Sequence, residues 1–161
     1  MNKYFCNIRL LNKKDTQISY KWRNDSSIWT LTRGLGNYGK KVTLKDEIEW
    51  FNRISIAKDR LNLAIICNHD EYVGNIYFTN IKKNSAEFQI FIGNKKYLKK
   101  NIGNASTRLS LLYAYINLGI SNFYLYVNKK NINAIKMYKK VGFKKVTTKE
   151  KDLFKMLYIQ N

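Results

Sequence analysis

The chain has 161 residues, 45% hydrophobic and 25% charged, which suits one domain spanning 1–161 that buries about 68–70% of its unfolded surface without disulfides or metal. This balance excludes collagen, coiled coil and disorder. No apolar run reaches the ~18 residues that cross a bilayer, and Met1–Phe5 lacks the apolar core of a secretion signal. Thirty Lys and Arg against eleven Asp and Glu give a net charge of +19. Residues 81–161 hold 17 of those basic residues and only 3 of the acidic ones. Such a field draws anionic ligands and disfavours a polycation, although abundant Lys and Asn without proline is equally the mark of an AT-rich coding sequence. Cys6 and Cys67 lie in apolar, strand-like stretches and read as buried thiols of a reducing, cytoplasmic compartment. No metal-ligand spacing is present, and the single histidine, His69, falls in a polar turn.

Residues 3–10 read as a strand, Asp15 to Asn24 as a helix, and Ser26–Trp29 as a polar, aromatic loop. Arg33–Gly39 has three glycines without periodicity and reads as a turn rather than a phosphate loop. Thr43 and Asp46 form a capping-box pattern, opening a helix with Leu44, Ile48, Phe51, Ile54 and Ile56 on or near one face. Three short strands follow, Leu61–Cys67, Tyr72–Thr79 and Ala86–Ile92, joined by turns at 68–71 and 82–84. A Lys- and Asn-rich turn over Gly93–Gly103 leads into a helix from about Asn104 to Leu118, predicted to bury Leu109, Leu112, Tyr113 and Ile116. Gly119 ends it. The strand Phe123–Val127, the helix Ile132–Val141 stopped by Gly142, and strands at Phe143–Val146 and Leu153–Ile159 complete the order β-α-α-β-β-β-α-β-α-β-β. The fold class is α/β (α+β).

The strand-to-helix turn before residue 104 offers unpaired N–H groups and a positive helix end to an anion, with Lys99 and Lys100 adjacent. Around it, the run Glu87-Phe88-Gln89-Ile90-Phe91-Ile92-Gly93, then Tyr97-Leu98-Lys99-Lys100-Asn101-Ile102-Gly103, resembles motif A of the GNAT (Gcn5-related) N-acetyltransferases. Asn131-Ile132-Asn133-Ala134-Ile135-Lys136-Met137-Tyr138-Lys139-Lys140-Val141-Gly142-Phe143 resembles their motif B. The likeness spans about Leu61–Phe143 by sequence, and the N-terminal part by element order. It implies a mixed sheet of about seven strands flanked by about four helices. The family's phosphate loop reads Gln/Arg-x-x-Gly-x-Gly/Ala, whereas here Leu98 and Asn101 stand at the first two of those positions and Gly103 at the last. Asn best tolerates φ > 0 among non-glycine residues. Position 99, often glycine in this branch, is Lys.

The resemblance implies acetyl-CoA as cosubstrate, no metal, and a cofactor site at Phe91, Ile92, Leu98, Lys99, Lys100, Asn101, Ile102, Gly103, Asn104, Asn131 and Tyr138. It implies Glu87 as base and Tyr138 as proton donor to the departing thiolate. Glu87 reads equally as an outward strand residue, Tyr138 as core, and Asn131 as an N-cap.

Trp22-Arg23-Asn24 is similar to a segment of nucleotide-amino-sugar N-acetyltransferases. With Trp29, Arg33 and Tyr38 it forms the expected acceptor site, although Trp22 and Trp29 read equally as packing residues. The expected acceptor is therefore a small anionic amine, foremost a nucleotide-linked amino sugar of surface-glycan synthesis. A protein N-terminus or another small amine is the alternative. Glu87–Ile90 also resembles the polyamine acetyltransferases, but the net charge disfavours a polyamine. A homodimer fits the branch, no membrane span is expected, and no nucleic acid partner is expected. A nucleic-acid-binding module without catalysis, or a degenerate fold used for protein contact, are the competing classes.

Overall fold

The structure is a computed structural model that describes residues 5–30, 40–68 and 70–160; Arg33, Tyr38, the glycine-rich turn and His69 lie outside them. Seven strands form one sheet: β1 (Cys6–Leu10), β2 (Leu61–Cys67), β3 (Glu71–Lys82), β4 (Ser85–Ile92), β5 (Asn122–Asn128), β6 (Lys144–Val146) and β7 (Leu153–Ile159). They lie in the order β1-β2-β3-β4-β5-β7-β6, antiparallel throughout except between β4 and β5. Five helices flank the sheet, α1 (Thr16–Arg23), α2 (Ser26–Trp29), α3 (Leu44–Ser55), α4 (Ile102–Leu118) and α5 (Ile132–Val141). Among the described residues one more α-helix is present than expected. The segment Ser26–Trp29 winds into α2 because Asp25 caps it, accepting from the Ser27 N–H at 3.1 Å and the Ser27 hydroxyl at 2.6 Å.

Two cores sit on the two faces of the sheet. Under α4 and α5 lie Leu63, Ile65, Phe78, Phe88, Leu125 and Phe143, among others. Under α1–α3 lie Trp22, Trp29, Tyr72, Tyr77 and Phe91, with Trp50 packed against them. Gly93 is dictated by this second core, since a Cβ there would meet the Trp22 ring at 2.0 Å. Cys67 is buried as expected, Cys6 is half-buried, and the two stand opposite each other across β1 and β2.

The capping box at Thr43 and Asp46 is formed, but the buried face of α3 is Ile54 with Glu47. Ile48 and Phe51 are half-buried, while Leu44 and Ile56 are 37% and 81% exposed. The expected face of α4 is likewise corrected. Leu109, Leu112 and Ile116 are exposed and Tyr113 is half-buried, whereas Ser106, Thr107, Ser110, Leu111 and Ala114 are buried. The hydroxyls of Ser106 and Thr107 donate to the carbonyls of Ile102 and Gly103, and that of Ser110 to Thr107. Their polar groups are satisfied within the helix, so this small-residue face can lie flat on the sheet.

Candidate active site

β4 and β5 pair only at Ser85, Ala86 and Glu87, opposite Asn122, Phe123 and Tyr124. Beyond that point β4 continues against β3 and β5 against β7, so the two parallel strands part and leave open backbone edges facing each other. A cavity of about 680 Å³ fills the gap. It reaches from Ser27 and Ile28 of α2, past Ile90, Phe91 and Ile92, to the start of α4 and the inner side of α5. Among the described residues four lysines line it, Lys95, Lys99, Lys136 and Lys140, and no carboxylate does.

The loop from β4 to α4 is shaped for close backbone approach. Lys99 and Asn101 both take left-handed backbone angles, φ 59° and 64°, at two positions where the family pattern favours glycine. Asn101 is the N-cap of α4, yet its side chain caps nothing, unlike Thr43 on α3 or Asn131 on α5. The first-turn N–H groups of Ile102, Gly103 and Asn104 have no carbonyl partner within the helix and sit at the cavity wall. Gly103 leaves room above them: a Cβ there would meet only the Met137 methyl, at 3.9 Å. The loop is pinned from outside. Tyr97 donates to Glu71, Asn94 donates to Glu71 at 2.8 Å, and Lys95 pairs with Asp25 at 2.6 Å. The Lys95 contact is the main reason the Asp25 carboxyl lies below the usual carboxylate range.

These residues fit a coenzyme A diphosphate. Helix-start N–H groups and lysines are donors for anionic oxygens. Asn104 is 8% exposed, its Oδ1 accepts from Arg108 at 3.3 Å, and its Nδ2 is buried without a hydrogen-bond partner. A buried donor left unpaired is costly, and an acceptor in the cavity would satisfy it. Asn131 lines the cavity, and its side chain caps α5 by accepting from the Ala134 N–H at 3.2 Å.

Tyr138 also lines the cavity, from α5, at 7% exposure. Its ring meets Phe88 and Phe143 edge-on at 6.3 and 5.6 Å. Burial pushes the phenol above its ordinary pKa, so it stays protonated and able to donate at neutral pH. Glu87 stands at the last paired position of β4, half-buried and pointing to the opposite face from Tyr138. Its oxygens accept from Asn80 at 3.1 Å and from Gln89 at 3.5 Å. Glu87 thus stands beside the point where the strands part, outside the cavity's lining and on the opposite sheet face from the phenol.

The structure brings Phe91, Ile92, Leu98, Lys99, Asn101, Ile102, Gly103, Asn104, Asn131 and Tyr138 to the cavity wall, while Lys100 and Glu87 are not among its lining residues. Lys95, Lys136, Lys140 and Met137 were not expected there. The i, i+4 spacing from Lys136 to Lys140 is the signal that could have found that pair. Of the expected acceptor residues, Trp22, Arg23, Asn24 and Trp29 make packing contacts and do not line the cavity, while Arg33 and Tyr38 lie outside the described residues. Trp22 stacks on Tyr72 at 4.8 Å, and Trp29 packs on Phe91 at 4.9 Å while donating to the Trp22 carbonyl. Arg23 pairs with Glu47 at 2.6 Å and lies 4.1 Å over the Trp50 ring. Asn24 ties α1 to Val42 by two hydrogen bonds of 2.8 Å. These contacts join α1, α2 and α3 to the sheet; Trp22 and Trp29 are buried by them, Arg23 is half-buried and Asn24 stays exposed.

Comparison with known proteins agrees with this geometry. The spermidine N-acetyltransferase of Vibrio cholerae, solved with CoA and spermine, superposes with a TM-score of 0.82 at 18% identity, over 96% of this chain and 95% of that one. A domain from Methanocaldococcus jannaschii superposes at 0.81 with 19% identity, over 98% and 99%. The spermidine N(1)-acetyltransferase of Escherichia coli K12 is 38% identical over 58 residues, 36% of this chain and 31% of the relative's own length. The matched stretch therefore spans under a third of that curated relative. Among the described residues no helix is long and apolar enough to cross a membrane, and no cluster of three or more His, Cys, Asp or Glu could hold a metal. A family model described as an acetyltransferase (GNAT) domain matches residues 6–144, and with the parted β4–β5 cleft at its centre the chain belongs to the GNAT acetyltransferase family.

Proposed function

We propose that the protein transfers the acetyl group of acetyl-CoA to a primary amine by direct attack in a ternary complex. The observation that carries this reading is the cleft itself. Among the described residues it is lined by four lysines, by no carboxylate, and by a helix start whose N-cap side chain makes no capping bond. Acetyl-CoA supplies a thioester carbonyl, and the chain's own residues do the rest. Lys99, Lys136 and the N–H groups of Ile102–Asn104 hold the diphosphate, and Asn104 Nδ2 gains an acceptor. The open edge of β4 at Phe91 and Ile92 pairs with the pantetheine arm and gives an N–H to the carbonyl oxygen, a fixed donor of the kind worth ~10²–10³ in rate. Glu87 takes the amine proton as the C–N bond forms, directly or through water. Tyr138 gives its proton to the sulfur as the C–S bond breaks.

The acceptor is a small amine. The expectation of a nucleotide-linked amino sugar draws on Trp22, Arg23, Asn24, Trp29, Arg33, Tyr38 and the net charge, and the relatives named for spermidine do not support it. A polyamine is the second reading, favoured by the 38% identity to a protein named for spermidine.

Replacing Gly103 with alanine tests the cofactor site. The methyl meets nothing of the protein closer than 3.9 Å, and alanine favours a helix over glycine by about 0.5–1 kcal/mol. The apo variant should melt at or above the wild-type temperature, yet bind acetyl-CoA about tenfold more weakly because the methyl stands where the phosphates approach. Equal affinity in calorimetric titration would place the diphosphate elsewhere.

A further inference from the structure

On the face of Glu87, opposite Tyr138, strand register sets side chains in two rows across the sheet. One row runs Thr79, Glu87, Tyr124, and Arg60, one residue before β2, extends it on the far side of Thr79. The other runs Asn62, Tyr77, Gln89. Among the described residues Glu87 is the only carboxylate in these rows. Arg60 is half-buried, and its Nε is a buried donor with no hydrogen-bond partner. Asn62 Oδ1 and Gln89 Oε1 are buried acceptors with none. Asn62 is held by its amide, which donates to the Ile54 carbonyl at 3.3 Å, and Gln89 by weak bonds to Thr79 and Glu87, both at 3.5 Å.

Two further guanidinium groups lie within electrostatic reach of Arg60. Arg23 and Arg53 act on it electrostatically, as does Asp59, and desolvation lowers its pKa. Glu47 is paired with Arg23, and Tyr77 and Asp59 are the groups that act on Arg60 in the opposite sense to Arg23 and Arg53. Two strand spacings separate Arg60 from Glu87, roughly 10 Å.

Accepting the acetyl-transfer reading above, we infer that the acceptor amine carries an anionic oxygen group, and that Arg60 binds this group while the amine reaches Glu87. A carboxylate, sulfate or phosphate would pair with the Arg60 fork. Hydroxyl or amide donors on the body between would satisfy Asn62 and Gln89. A polyamine would instead place its second cation against Arg60, which selects against that class.

The test measures acetyl-CoA-dependent kcat/KM for matched amines: butylamine and 4-aminobutyrate, glucosamine and glucosamine 6-phosphate, and spermidine. The wild type should favour the anionic member of at least one pair by 10- to 100-fold, and favour it over spermidine. Arg60→Gln should bring that ratio near one and Arg60→Lys leave it intermediate, the melting shift with CoA reporting that each variant is folded. Spermidine as the best substrate, or a ratio that Arg60→Gln and Arg60→Lys leave in place, would overturn the inference. Failure of the wild type to acetylate any amine would overturn the transferase reading. The Arg60 site would then stand only if the anionic members raise the melting temperature of the wild type and not of Arg60→Gln, and would fall otherwise.

Discussion

Tyr138→Phe is expected to lower kcat about 100-fold or more while leaving acetyl-CoA affinity within about twofold, the size of effect general acid catalysis supplies. The substitution removes one oxygen and keeps the ring against Phe88 and Phe143, so packing and the cleft persist. Burial raises the phenol's pKa. A raised value keeps the acid protonated past its ordinary titration near 10, so Tyr138 contributes no alkaline loss of rate between pH 7 and 9. A pre-steady-state measurement of thiol release would show the defect in the chemical step. Retention of more than a tenth of wild-type kcat would remove Tyr138 from proton transfer and leave it a core residue.

The largest loss of stability is expected at Glu47. It is 1% exposed, paired with Arg23 at 2.6 Å, and accepts from the Ser19 hydroxyl at 2.5 Å. This contact locks α3 onto α1. Glu47→Ala removes the carboxylate paired with the mostly buried Arg23 guanidinium, and breaking such a pair costs about 3 kcal/mol or more. Converting both partners together, Arg23→Met with Glu47→Leu, removes the orphaned charge and should recover most of that loss. Urea unfolding of the three proteins measures it. A Glu47→Ala cost below about 1 kcal/mol would mean that the helices are held by the tryptophans alone.

The part of the fold that was legible is the part written in local chemistry. Thr43 with Asp46 announced α3, and Asn131 and Gly142 bracketed α5 to the residue. Strand limits for β2 and β7 follow from unbroken apolar or alternating runs. The run from Asn131 to Phe143 also placed Tyr138 at the cleft. What stayed hidden depends on partners distant in sequence. Glu47 reads as a surface residue of an amphipathic helix until Arg23, on another helix, comes to meet it. Trp22 and Trp29 look like ligand platforms until Gly93 shows that one of them lies flat on backbone. On α4, hydrophobic periodicity offered Leu109, Leu112 and Ile116 as the inner face. Serine and threonine hydroxyls that bond back to their own helix can be buried as readily as alanine, and a pattern of apolar residues does not register them. Lys99 and Asn101 departed from the glycine pattern in letter, but their left-handed angles keep it in geometry.

Hydrogen–deuterium exchange with and without acetyl-CoA tests most directly whether the parted strands hold the cosubstrate. Exchange should slow in two separated segments, residues 88–92 on the open edge of β4 and residues 101–104 at the start of α4, with β1, β2 and β7 unaffected. Protection elsewhere, with these two segments unchanged at saturating acetyl-CoA, would contradict the account.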